Sequence, residues 1–110
     1  MNKEKQRIKI AEACGWWGNR QGLLMRPPLV TSEYREVPNY PEDLNAMYDA
    51  LAHLTPEELR QWAVELTAIV LENNSGAWWD LDISETAQVL SATTAQQAEA
   101  FLKTFKLWEE

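Results

Sequence analysis

Between Asp43 and Asn73 the chain repeats apolar residues at helical spacing twice. Leu44, Met47, Tyr48, Leu51 and Leu54 fall three and four apart, which lines one face of a helix and predicts that element over 42–53. After a break, Leu59, Trp62, Ala63, Leu66, Ile69 and Val70 repeat the pattern over 56–72. Thr55 marks the break. Its hydroxyl can accept from a backbone N–H of the next helix, Pro56 sits where a missing N–H is harmless, and Glu58 completes a capping box. The short connection predicts an antiparallel helix pair with both stripes turned toward one core.

The flanking pattern is less regular. Residues 2–13 read as a first helix, with Ile8, Ile10, Ala11 and Cys14 on one broad side and Lys3, Lys5, Arg7 and Lys9 elsewhere. Its stripe is weak, which predicts a short helix that docks late or frays, stopped by Gly15. From Trp16 to Val37 the period changes. Gly18-Asn19 and Gly22 are turn residues between Trp16-Trp17 and Leu23-Leu24-Met25, which predicts a β-hairpin. One strand ends near Trp17, the other spans about Gln21–Arg26, and Pro27-Pro28 ends it. A third extended segment falls at Leu29-Val30-Thr31 or at Tyr34–Val37. Beyond Val70, two Asn and Gly76 end the helix, and Asp82-Ile83-Ser84-Glu85 caps a short helix over 84–91. Thr94-Ala95-Gln96-Gln97 forms a second capping box for a helix over 94–106, with Ala98, Phe101, Leu102, Phe105 and Trp108 at core spacing. The expected fold class is α+β: about four helices packed on a small antiparallel β-hairpin or sheet, within one compact domain of 110 residues.

Charge changes this picture, because the net −7 is unevenly placed. Residues 1–35 hold seven Lys/Arg against three Asp/Glu, whereas residues 36–102 hold twelve acids against Arg60 alone. An acidic helical body thus carries a basic N-terminal region. Acidic helices repel phosphates, which argues against duplex DNA as a partner and suits a basic protein partner or solubility. No stretch approaches the ~20 apolar residues of a membrane span, and no N-terminal apolar run suggests a signal peptide, so no membrane role and a cytoplasmic location are expected. A single cysteine, Cys14, excludes a disulfide or a Cys-based zinc site within one chain.

Candidate chemistry is sparse. His53, the only histidine, lies between Leu51 and Leu54 near a helix end, where a polar residue is ordinary. Cys14 is flanked by apolar residues and reads as a small buried hydrophobe rather than a nucleophile. Asp80 and Asp82 would share one face of a strand and could hold Mg²⁺, but no further acidic ligand set accompanies them. Phosphate-binding, nucleophile-elbow and zinc-protease motifs are all missing. A non-enzyme without cofactor or metal is expected.

Tryptophan stands out, with six in 110 residues. Trp62 and Trp108 fall on apolar helix faces. In the Trp16-Trp17 and Trp78-Trp79 pairs, adjacent extended residues point to opposite faces, so one ring of each pair can enter the core and the other must find cover or stay exposed. An outer ring near Arg20 and Arg26 would form an aromatic and basic patch of the composition that dominates interface hot spots. Such a patch can also stack on nucleobases while Arg holds phosphates. The candidate binding residues are therefore Trp16, Trp17, Arg20, Arg26, Trp78 and Trp79.

Three blocks carry a resemblance: Ile10–Trp16 (IAEACGW), Tyr40–Met47 (YPEDLNAM) and Thr93–Thr104 (TTAQQAEAFLKT) with Leu107-Trp108-Glu109. In that order they resemble small phage and prophage proteins of the phage ABA-sandwich domain type, which run IAEACGW, then Y..DLNAM, then RAEAFLRT.G.W. The chain departs from that pattern with Tyr48 where His is expected and Gln97 where Arg is usual. The resemblance implies a three-layer helix–sheet–helix fold and a phage origin, but no activity and no functional residue. The expected function is a phage- or prophage-encoded inhibitor of a host protein, a counter-defence factor of the anti-CRISPR kind, docking through the acidic helix face or the Trp16–Arg26 hairpin. Two alternatives stand beside it. One is a sponge that sequesters a nucleotide signal through Trp and Arg contacts. The other is a replication or virion-assembly accessory, which would form homo-oligomers.

Overall fold

The computed structural model describes residues 1–21, 23–28, 33–71 and 83–109. Within them the chain is α+β, with five helices and a small three-stranded antiparallel sheet. The order is α1 (Lys3–Ala13), β1 (Trp17–Gln21), β2 (Leu24–Arg26), β3 (Arg35–Glu36), α2 (Leu44–Leu51), α3 (Pro56–Leu71), α4 (Ile83–Leu90) and α5 (Thr94–Thr104).

Helix α1 is closed at both ends by local hydrogen bonds. Asn2 caps it by accepting from the Lys5 N–H at 2.8 Å. At its other end Gly15 adopts φ +96°, and the Gly15 and Trp16 amides donate to the Glu12 and Ala11 carbonyls, the paired bonds that close a helix through a left-handed residue. Gly15 is needed there twice over, since an added Cβ would also meet Pro28 at 3.2 Å. The buried stripe is Gln6, Ile10, Ala11 and Cys14. Three of these are polar or small, which is why so central a helix shows so weak a pattern in sequence.

The cations of α1 reach three separate segments. Lys3 pairs with Glu42, Lys5 with Glu109 at 3.1 Å, and Arg7 with Glu36 at 3.3 Å. Arg7 also donates to the carbonyls of Val37 and Pro38. Much of the basic N-terminal region is thus paired within the molecule.

The sheet is a meander in the order β1-β2-β3. Trp17 faces Arg26 and Gln21 faces Leu24, with an irregularity between them; Leu24 and Met25 then face Glu36 and Arg35. Gly18-Asn19 is therefore not a turn but lies inside β1. Gly18 takes φ +72° where the ladder is irregular, and the Tyr34 hydroxyl sits 3.4 Å from where its Cβ would stand. The third strand lies within the expected Tyr34–Val37 segment, while Leu29–Thr31 falls outside the described residues.

The helix pair differs from expectation. Capping is as read, with the Thr55 hydroxyl accepting from the Glu58 backbone N–H at 3.2 Å and the Glu58 carboxylate from the Thr55 backbone N–H at 2.9 Å. However, α2 and α3 make little mutual contact; α3 lies chiefly along α5, and α2 leans on α5 as well. Helix α5 is thus the hub, touched by α1, α2 and α3. In α2 the stripe is also rotated from its expected position. Ala46, Met47 and Ala50 are buried, whereas Leu44 and Tyr48 are 41% and 56% exposed. In α3, Leu59 is exposed, and Leu66 and Thr67 take the inner positions, with the Thr67 hydroxyl donating to the Ala63 carbonyl.

The α5 capping box uses Thr93 and Gln96, one residue before the expected pair. Gln97 is left to enter the interior, its side-chain amide donating to the Ala92 carbonyl at 3.3 Å while its backbone carbonyl accepts from the Trp62 indole N–H at 3.1 Å. The helix ends at Thr104 rather than 106, because Lys106 turns to φ +59°. Trp108 packs against the core from beyond the helix end. Phe101, Ile10, Met25, Met47, Leu102 and Val37 are fully buried side chains of one core that joins helices and sheet.

Candidate functional site

Two surfaces gather chemically distinctive residues. The first lies on the sheet. Trp16 and Trp17 diverge as their alternation requires: Trp16 packs against the core, and Trp17 remains 46% exposed. Cross-strand pairing then sets Arg26 opposite Trp17. The Arg26 guanidinium carbon lies 4.5 Å from the Trp17 ring centroid and 4.7 Å from that of Tyr34, a cation held between two aromatic rings. Arg35 and the half-exposed Leu24 share this small sheet.

Tyr34 was not among the residues read from sequence. Its place depends on the register of the β2–β3 pairing, which only the assembled sheet defines. Of the expected residues, the structure brings together Trp17 and Arg26 and turns Trp16 away. Arg20 belongs to β1, but its side chain, Trp78, Trp79, Asp80 and Asp82 lie outside the described residues.

The second surface is a cleft of about 370 Å³ beside α2. Its lining includes the aromatic residues Trp16 and Tyr40 and, from α2 and its two ends, Asp43, Asp49 and His53. Ala46 and Ala50 floor it. Asp43 is also the α2 N-cap, its Oδ1 accepting from the Asn45 and Ala46 amides at 3.0 and 3.2 Å. Burial above all pushes the Tyr40 phenol above its ordinary range. Cys14 and the Asp49 carboxylate add to that shift, and Trp16 works against it through a side-chain hydrogen bond. The cleft was not legible in sequence, since it is assembled from three separated segments.

Cys14 sits in the core with its thiol pushed up to about 11 by burial. A thiol so shifted stays protonated at neutral pH, the opposite of what a nucleophilic cysteine needs. His53 lines the cleft with no nucleophilic Ser, Thr or Cys among the cleft's other lining residues. Among the described residues, no three His, Cys, Asp or Glu side chains gather to hold a metal ion, and no helix is long and apolar enough to cross a membrane.

Fold and surfaces together define an α+β domain that displays an aromatic–arginine stack on one sheet and an acidic cleft beside one helix. Comparison with family models, curated proteins and solved structures yields no match to this chain.

Proposed function

We propose that the protein is a phage- or prophage-encoded, non-catalytic binding protein that inhibits a host protein in the bacterial cytoplasm, a counter-defence factor of the anti-CRISPR kind. The observation that carries the binding role is the Trp17–Arg26–Tyr34 stack. An indole that remains half exposed while a neighbouring guanidinium packs on it is pre-ordered, so docking costs little side-chain entropy and covers a large apolar face. The phage origin rests on the three resembling blocks alone. The nucleotide-sponge alternative would draw on the same stack, but the described cleft carries carboxylates that repel phosphate.

The test is to express the tagged protein in bacteria and weigh its complexes by native mass spectrometry beside Trp17→Ala and Trp17→Ala/Arg26→Ala. The expected result is a stoichiometric host protein on the wild type, depleted on both variants while each still unfolds cooperatively. A bound mass of a few hundred daltons would replace this reading with the sponge. Equal capture by all three proteins would remove the sheet as the interface.

A further inference from the structure

The cleft beside α2 has properties that the host-inhibitor reading does not use. Its lining includes two carboxylates, Asp43 and Asp49, and no Lys or Arg. Among the described residues Asp49 pairs with no cation, and Asp43 uses one oxygen for its capping bonds, leaving Oδ2 outside them. The same cleft is lined by an indole and a phenol, Trp16 and Tyr40. Tyr40 is 4% exposed, and the Asp49 carboxylate is one of the lesser causes, after burial and Cys14, that raise its phenol.

Space is available for a definite reason. Ala46, Asp49 and Ala50 fall on one face of α2, with Asp43 as its N-cap and His53 just past its C-cap, and two of the three helical positions are alanines. Larger side chains at 46 and 50 would fill the cavity. Instead, about 370 Å³ remains open among aromatic and acidic residues.

Charge, shape and lining select the ligand class. An anion would meet two uncompensated carboxylates. A bare metal ion would need ligands gathered around one point, and no such group of three occurs among the described residues. A guanidinium or ammonium group satisfies both kinds of residue at once, donating to carboxylates while its face or its methylenes lie on aromatic rings.

We propose that this cleft is a binding site for an organic cation, a guanidinium or alkylammonium group on an aliphatic stem, supplied either as a free small molecule or as a basic side chain of a protein. The site is separate from the sheet stack and does not rest on the inhibitor reading.

The test is an NMR titration of the whole chain that follows the Trp16 indole N–H and the amides of Asn45, Asp49, Ala50 and His53. The probes, at matched ionic strength, are agmatine, an N-acetylated arginine methylamide, a short arginine-containing peptide and the uncharged citrulline methylamide. The arginine compounds should give saturable shifts confined to the cleft, with citrulline weaker by about tenfold or more, as loss of hydrogen bonds to charged partners implies. Asp43→Asn/Asp49→Asn should abolish the difference between arginine and citrulline. Asn caps a helix as well as Asp does, so that variant should keep its thermal midpoint. Asp49→Glu should retain binding. Tighter binding of the peptide than of agmatine would assign the site to a protein side chain, and the reverse to a small molecule. Shifts that fail to saturate, spread beyond the cleft, or are equal for arginine and citrulline would overturn the proposal. Trp17→Ala/Arg26→Ala should leave this titration unchanged, so its outcome and that of the host-capture experiment are independent.

Discussion

Helices α1 and α2 exchange the roles that their patterns suggest. Helix α2 has the cleaner apolar stripe, yet Leu44 and Tyr48 at its start and middle face outward. Helix α1 has a diffuse pattern, yet Ile10 and Ala11 are wholly buried and Cys14 nearly so. Periodicity counts large apolar residues wherever they fall, whereas burial in α2 follows the small ones, Ala46 and Ala50, beside Met47. Small residues let a helix approach closely; the larger ones are then left at the rim. In α1 the long cations do the rest, reaching past the helix edge to carbonyls and carboxylates of later segments.

This contrast can be broken by substitution, and the largest effect should come from the helix that looks weaker. Ile10→Ala should cost about 2–5 kcal/mol of unfolding free energy, the range for truncating a large buried aliphatic side chain. Tyr48→Ala should change it by no more than about 0.5 kcal/mol, as surface substitutions do. Urea unfolding of the two variants compares them directly, and equal losses would place the α2 stripe back in the core.

Arg7→Ala comes next. It removes charged donors from two backbone carbonyls and from Glu36, so a loss of about 1.5–3 kcal/mol is expected in the same assay. Arg7→Lys should recover only part of it, since one ammonium cannot match the fork. Lys106→Gly should act in the opposite direction. Lys106 holds a left-handed conformation at the end of α5, and glycine there should stabilise by about 1 kcal/mol, read as a raised unfolding midpoint.

A further effect is confined to alkaline pH. The Cys14 thiol ionises near 11 in the folded chain against an ordinary value of 9.0. The unfolded state therefore loses its proton first, and this group's contribution to stability is whole below about pH 9 and is lost as pH rises toward 11. Cys14→Ala should flatten the decline in unfolding midpoint between pH 8 and pH 10.5 relative to wild type. Burial of Tyr40 acts in the same sense and keeps part of the slope.

The ends of the elements were the most legible part of the sequence. Thr55 with Glu58, Gly15 after α1, and Pro27-Pro28 after β2 each fix a boundary through local chemistry that needs no neighbour. The α5 cap shows the limit of such reasoning. In Thr93-Thr94-Ala95-Gln96-Gln97 two overlapping boxes are equally good locally, and the choice falls to Gln97, whose side chain is buried beneath the helix start while its backbone carbonyl meets Trp62 from α3. Tertiary contact decided it.

The binding surfaces divide along the same line. Trp17 and Arg26 could be singled out because strand alternation and residue type are local properties. Tyr34 could not, because it joins them only through the register of a third strand. The cleft was hidden for a further reason: its open volume comes from two alanines, and its walls from segments before, at and within α2. An absence of bulk leaves no mark in a hydropathy pattern.

The measurement that bears most directly on the central claim is hydrogen exchange on the protein alone and in complex with whatever host protein it captures. Slowed exchange is expected over 17–21, 24–26 and 34–36, the segments that carry the Trp17–Arg26–Tyr34 stack. Protection confined to α3 and α4, with the sheet amides exchanging as in the free protein, would contradict that claim.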